Sequence, residues 1–353
     1  MHYCGRVASL FQHPVYPVAA MRWVIRGGAL VVCLVTASAC TTTARRHDGL
    51  GPPAALPPVE KITELPVRVP RPGDLSPVVG RVQRYRIVPK DTLLDVARNA
   101  GLGFQEVKNA NRDVDEWIPP AGLEVVVPTR WVLPRTSQRG IVVNVPEMRM
   151  YMFPPDSKPG EKVTVRTWAV AIGTDEAPTP VGPFKIISKD KNPTWYVPDS
   201  IYKTMDKPRR VVPPGPDNPM GAYRIRLEKG LYSIHGSDTP WAIGRETTHG
   251  CLRLYPEDIG ELYSLVKPPM NGELVYEPVK VGASGGRIFI EVHDDVYHRF
   301  KNLESEAWRV VGEAHVGPRV DRNRLRQAVR DRRGVPVDVT SGPTPHTVLT
   351  QRQ

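Results

Sequence analysis

The sequence predicts a mainly β fold: a sandwich or barrel-like domain with a capping insertion, preceded by a small α+β domain. Three observations carry this. After Gly140, short runs rich in Val, Ile, Tyr and Phe recur between Pro, Gly and Asp turns, which is the texture of strands. The 353 residues include 38 prolines, too many for long helices and suited to turns and linkers. Ahead of Gly140, one segment instead shows helical apolar spacing between two strand-like pieces.

Taken in order, residues 1–20 have no signal-like arrangement and read as an over-called start. From Met21 the chain runs MRWVIRGGALVVCLVTASAC. Two arginines precede an apolar run and small residues precede a cysteine, the layout of a secretory signal peptide over 21–39. The run is far short of the ~20 residues a membrane span needs. Ala37-Ser38-Ala39 before Cys40 resembles a bacterial lipobox, with alanine where leucine is usual. That resemblance implies a lipidated Cys40 and attachment to a membrane; the alternative is plain cleavage after Ala39. Either way the protein is exported. Residues 40–82, with eight prolines between Gly51 and Pro77, read as a semi-rigid linker.

Within 83–129, Tyr85-Arg86-Ile87-Val88 alternates like a strand. Asp91-Thr92 can cap a helix carrying Leu93, Leu94, Val96 and Ala97, a second helical piece covers Phe104 to Ala110, and Leu123 to Val127 returns as a strand. This β-α-α-β plan resembles a LysM domain, a module that binds cell-wall glycan. The supporting residues are Asp91-Thr92-Leu93, Ala110-Asn111 and Val125-Val126-Val127-Pro128, while Lys90 stands where that family usually has glycine. A spacer that no longer binds sugar is the competing reading.

Residues 138–280 form the main β domain. Its predicted strands are Ile141–Val145, Met148–Phe153, Val163–Ile172, Phe184–Ser188, Tyr223–Leu227, Leu231–Ile234 and Leu274–Val279. One helix is credible, opened by Pro256 with Glu257 and Asp258 in its first turn. Residues 281–353 read as a partly disordered extension, with a strand at Arg287–Val292 and seven arginines between Pro318 and Gly334.

The formal charge of +11 suits an anionic partner. No zinc-finger spacing, RRM signature or basic zipper region supports nucleic acid, whereas a carboxylate-rich polymer or an anionic surface accounts for the charge. Of the four cysteines, Cys4 and Cys33 precede the expected cleavage point and Cys40 is at it. Cys251 is then solitary in an oxidising compartment, where cysteines normally pair.

Cys251 lies in IHGSDTPWAIGRETTHGCLRLYPEDI, residues 234–259, and three readings compete. A zinc site would use His235, His249 and Cys251, but lacks paired spacings and an evident fourth ligand. A core cluster is opposed by Gly236, Gly244 and Gly250, whose density suggests close backbone approach to a ligand. In the third, Cys251 is a nucleophile activated by His235, with peptide N–H groups near His249, Gly250 and Cys251 stabilising an oxyanion.

His235-Gly236, followed after a loop by Thr248-His249-Gly250-Cys251-Leu252-Arg253, resembles the signature of the L,D-transpeptidase (YkuD-like) catalytic domain. Pro178-Thr179-Pro180-Val181-Gly182-Pro183-Phe184 adds to the likeness. The resemblance implies Cys251 as nucleophile, His235 as base and the Gly236 carbonyl orienting the imidazole. It places His249, Gly250 and Arg253 at the substrate or oxyanion site, and Trp195 and Tyr196 in a capping insertion, 192–221, that contacts the peptide stem. It implies no cofactor and no metal. The expected partners are peptidoglycan stem peptides and glycan, with an outer-membrane lipoprotein as one possible acyl acceptor and no nucleic acid. A Cys–His hydrolase or carboxypeptidase, and an inactive wall-binding lipoprotein, are the alternatives.

Overall fold

The computed structural model describes residues 58–342, apart from 137, 204, 206, 207 and 229. Residues 1–20, the expected signal peptide 21–39 and Cys40 lie outside the described residues. The chain is mainly β. In order, β1 (Glu64–Arg68), β2 (Ser76–Gly80) and β3 (Gln83–Arg86) lead to α1 (Leu93–Asn99), α2 (Phe104–Ala110), β4 (Glu124–Val127) and β5 (Arg130–Val132). The strand pair β3–β4 and the two helices make the expected β-α-α-β unit. Thr92 caps α1 by accepting from the Asp95 N–H, and Asp95 reciprocates at the Thr92 N–H, a capping box that fixes where the helix starts. Asn111 ends α2 and ties it to β4: its side chain donates to the Val126 carbonyl and accepts from the Val126 N–H, both at 2.8 Å.

Next come β6 (Gly140–Asn144), β7 (Arg149–Phe153), β8 (Lys162–Ala169), β9 (Ile172–Gly173), β10 (Gly182–Lys191), β11 (Trp195–Tyr196), α3 (Asp199–Tyr202), β12 (Val211–Val212), β13 (Tyr223–Leu227), β14 (Ser233–His235), β15 (Glu246–Thr248), β16 (Leu252–Arg253), α4 (Pro256–Leu265) and β17 (Met270–Val275). The main sheet has nine strands in the order β1-β8-β7-β6-β17-β10-β13-β14-β16. Met150 of β7 and Leu252 of β16 are far apart in that order yet share one apolar core with α4, so the sheet folds over on itself as a sandwich. Side chains alternate along a strand. Ile141, Val143 and Met150 therefore enter this core, while Val142, Tyr151 and Phe153 enter a second one shared with the β-α-α-β unit.

The linker reading of 40–82 is corrected over its second half. β1 pairs antiparallel with β8, and β2 lies between β18 (Val279–Ser284) and β5 in a five-stranded sheet. Prolines concealed both strands, but Pro66 lies on an edge strand, where a missing N–H is tolerated, and its neighbours Leu65 and Val67 are buried. The C-terminal extension is likewise folded beyond the expected β19 (Arg287–Val292): α5 (Leu303–Glu313), α6 (Arg322–Asp331) and β20 (Val337–Asp338) build a third core on β18 and β19. The arginine-rich helix is α6. It buries Leu325 and Ala328, and its arginines are engaged locally, Arg326 pairing with Glu304 at 2.7 Å.

Candidate active site

Three neighbouring strands bring the motif residues together. Arg224 of β13 faces His235 of β14 in antiparallel register, and His235 faces Arg253 of β16 in parallel register. The sixteen residues between His235 and Leu252 thus form the crossover that this parallel pair requires. That crossover docks on the β-α-α-β unit, the N–H groups of Phe104 and Gln105 donating to the carbonyls of Ile243 and Gly244.

His235 is 3% exposed, and its Nδ1 is 2.8 Å from the Gly236 carbonyl oxygen. A carbonyl only accepts, so Nδ1 carries the proton and Nε2 keeps the lone pair. Burial pushes His235 down to about 3, helped by Arg253 and Arg224, against the Gly236 and Pro219 carbonyls. Cys251 is a half-buried free thiol. Burial raises it above its ordinary value, outweighing the Ser233 backbone, Arg253 and Arg224, which all pull it down. At neutral pH the resting pair is therefore a thiol and a neutral imidazole.

The cysteine turn is held by hydroxyls. Thr248 Oγ1 accepts from the Gly250 N–H at 3.1 Å and donates to the Cys251 carbonyl at 2.7 Å. The Gly250 N–H is thus engaged within the turn instead of facing an oxyanion. Gly250 has φ +95°, and a Cβ there would meet the Tyr232 ring at 2.5 Å, so glycine is required by chain packing. Gly244, at φ +77°, approaches the Gly103 backbone equally closely. The expectation that these glycines admit a ligand is corrected accordingly.

Cys251, His235, His249, Arg253, Trp195 and Tyr196 all line one cleft of about 310 Å³. His249 is exposed. Trp195 and Tyr196 pair with Val212 and Val211 in the two-stranded ribbon β11–β12 of the insertion; adjacent strand residues face opposite ways, and Tyr196 is 73% exposed. Sequence reasoning missed Arg224 and Tyr232, which also line the cleft. A larger cavity of about 790 Å³ beside α2 and α6 contains neither Cys251 nor His235.

The zinc reading finds no support in the geometry, because His235, His249 and Cys251 do not gather their ligand atoms as a metal would need. Among the described residues only Glu147, Glu291 and His293 do so. Lys280 already supplies the cation there, its Nζ lying 2.7 Å from Glu147 and 2.9 Å from Glu291.

Residues 138–290 match the YkuD family, the L,D-transpeptidase catalytic domain. The chain is 32% identical over 294 residues to "Probable L,D-transpeptidase ErfK/SrfK" of Escherichia coli K12, covering 79% of this chain and 93% of that protein. The chain belongs to the L,D-transpeptidase family. Its likeness to "Probable L,D-transpeptidase YbiS" of the same strain is 32% over 289 residues, covering 78% and 92% of the two chains. YcfS, another E. coli K12 relative in this L,D-transpeptidase group, is 34% identical over 236 residues, 64% of this chain and 72% of its own. The matches to ErfK/SrfK and YbiS span more than the YkuD segment, so the family relationship reaches into the flanking regions. Among the described residues, no helix is long and apolar enough to cross a membrane.

Proposed function

We propose that this chain is an exported peptidoglycan L,D-transpeptidase with Cys251 as its nucleophile. The observation that carries this is the shared cleft of Cys251 and His235, with the imidazole tautomer fixed by the Gly236 carbonyl so that Nε2 is available as a base. As Sγ attacks the carbonyl before the terminal D-alanine of a tetrapeptide stem, Nε2 takes the thiol proton. The oxyanion is met by the Cys251 N–H, with His249 and Arg253 at the rim. Collapse breaks the C–N bond, the proton passes from His235 to the departing amine, and D-alanine leaves a thioester on Cys251. An amine then attacks the thioester, giving its proton to His235 and restoring the thiol. The acceptor amine belongs to a second stem or to a lysine of an outer-membrane lipoprotein. Water as acceptor gives the carboxypeptidase reading.

The capping insertion supplies Trp195 and Tyr196 to the stem. The β-α-α-β unit is proposed as LysM-like and glycan-binding, supported by its element order and by Lys90, whose φ of +79° is one that favours the glycine usual there. Cys40 is proposed as the lipidated residue because the lipobox-like triplet precedes it and it stands where signal cleavage is expected.

The test is incubation of the purified protein with cell-wall material, followed by mass analysis of the muropeptides. Release of D-alanine and a new amide are expected with the native protein and not with Cys251→Ala. Activity that survives in Cys251→Ala would overturn the assignment. D-alanine release without a new amide, whatever amine is supplied, would replace transfer by hydrolysis.

A further inference from the structure

Arg224, His235 and Arg253 stand in one row across β13, β14 and β16. Directly paired residues on adjacent strands point to the same face, with strands about 4.8 Å apart, so the two guanidinium groups flank the imidazole. Both line the cleft with Cys251, and no Asp or Glu lines it. Arg224 is braced by donating Nε to Ser233 Oγ at 3.0 Å. Arg253 Nε is buried and has no hydrogen-bond partner among the described residues. A buried guanidinium nitrogen without an acceptor, as at Arg253, is costly. Asp238 acts on Arg253 and Asp190 on Arg224, but neither carboxylate lines the cleft, so an anion inside it would meet both guanidinium groups. A planar guanidinium fork fits a carboxylate best.

We infer that Arg224, together with Arg253, recognises the terminal carboxylate of the acyl donor and makes this cleft selective for stems ending in a free carboxylate. This rests on the proposed transpeptidase reading and adds to it the group that anchors the leaving residue. The carboxylate lies one residue beyond the scissile carbonyl, so anchoring it beside His235 sets that carbonyl over Sγ. When the C–N bond breaks, the carboxylate departs with the D-alanine. The row is then open, and its two positive charges disfavour an ammonium ion while admitting the neutral amine that the second step needs. Arg224 lies outside the cysteine motif. Its role follows only from strand register.

The test compares two synthetic stem tetrapeptides, one ending in D-alanine and one in D-alaninamide, measured as release of the terminal residue by the full chain. The kcat/KM ratio of acid over amide is expected to be ten or more in the native protein and to fall at least tenfold in Arg224→Gln, mainly through KM for the acid. Arg224→Lys, which keeps the charge without the fork, should give an intermediate ratio. A native ratio near one, or an unchanged ratio in Arg224→Gln, overturns the inference, and the native measurement decides even if the variants do not fold. Because an acceptor amino acid also has a carboxylate, a second arm keeps the acid donor and supplies glycine or glycinamide as acceptor. Loss in Arg224→Gln confined to the glycine arm would assign the row to the acceptor and overturn the donor reading. Absence of Cys251-dependent release from either donor would remove the transpeptidase reading, and this inference with it; release with equal ratios would remove this inference alone.

Discussion

Arg149 of β7, fully buried, donates Nε and Nη2 to the two carboxylate oxygens of Glu106 of α2 at 2.8 and 2.7 Å. The pair is the polar centre of the contact between the β-α-α-β unit and the catalytic sheet, and Trp131 Nε1 also donates to Glu106, at 3.2 Å. Removing one partner of a buried pair leaves the other charge without compensation, a loss of roughly 3–5 kcal/mol. Glu106→Ala should therefore lower unfolding stability by that amount in urea titrations, while Glu106→Met with Arg149→Met should lose far less. Equal losses in the single and double variants would show that the pair is not what holds the two parts together.

The site electrostatics predict how Cys251 reacts. Burial raises its thiol above the ordinary value and holds His235 down at about 3. The reactive species is the thiolate, and no imidazolium is present at neutral pH to stabilise one. The alkylation rate of Cys251 by iodoacetamide, with Cys251→Ser as the blank, should climb about tenfold per pH unit from 6 to 8 and continue past 9. A flat limb between pH 5 and 8 would instead reveal a thiolate–imidazolium pair.

Much of the fold is legible because period-2 burial survives in the sequence. Gly140–Asn144 and Arg149–Phe153 lie within a residue or so of the expected strands, and Pro256 does open α4. β1 escaped because proline masks the alternation of Leu65 and Val67, which depends for its burial on β8, far along the chain. The site divides the same way. His235 and Cys251 stand out by residue type and motif, whereas Arg224 in Tyr-Arg-Ile-Arg-Leu reads as the solvent side of a strand. Only its register against His235 puts it in the cleft. The glycines misled because what they make room for, the Tyr232 ring at Gly250 and the Gly103 backbone at Gly244, is brought there by tertiary structure.

Lys90 offers a stability test on the β-α-α-β unit. At φ +79° its Cβ is held in a conformation that glycine adopts without strain, and the side chain is exposed, so little packing is lost on truncation. Lys90→Gly is expected to raise stability by about 0.5–1 kcal/mol, the relief exceeding the added freedom of the unfolded chain. A lower denaturation midpoint would mean that the lysine side chain makes a compensating contact.

Tyr297 lies past the end of the YkuD match at residue 290, yet its hydroxyl reaches the cysteine turn through Thr179. It donates to the Gly173 carbonyl at 2.8 Å and accepts from the Thr179 N–H at 3.1 Å. Thr179 Oγ1 accepts from the Gly173 N–H at 2.9 Å and donates to the Gly250 carbonyl at 3.2 Å. Tyr297→Phe keeps the ring but strips two buried backbone groups of a partner, a loss of about 1–3 kcal/mol. If the chain only stabilises the fold, melting falls and the rate of Cys251 acylation does not. If it positions the turn, acylation should slow several-fold at a temperature where the variant is fully folded. Tyr276→Phe is the control, since its hydroxyl bonds Asp295 at 2.6 Å and the Tyr297 N–H at 2.8 Å without touching the turn. The expected outcome is a shared loss of melting temperature with slowed acylation in Tyr297→Phe alone, because only that hydroxyl is two hydrogen bonds from Gly250.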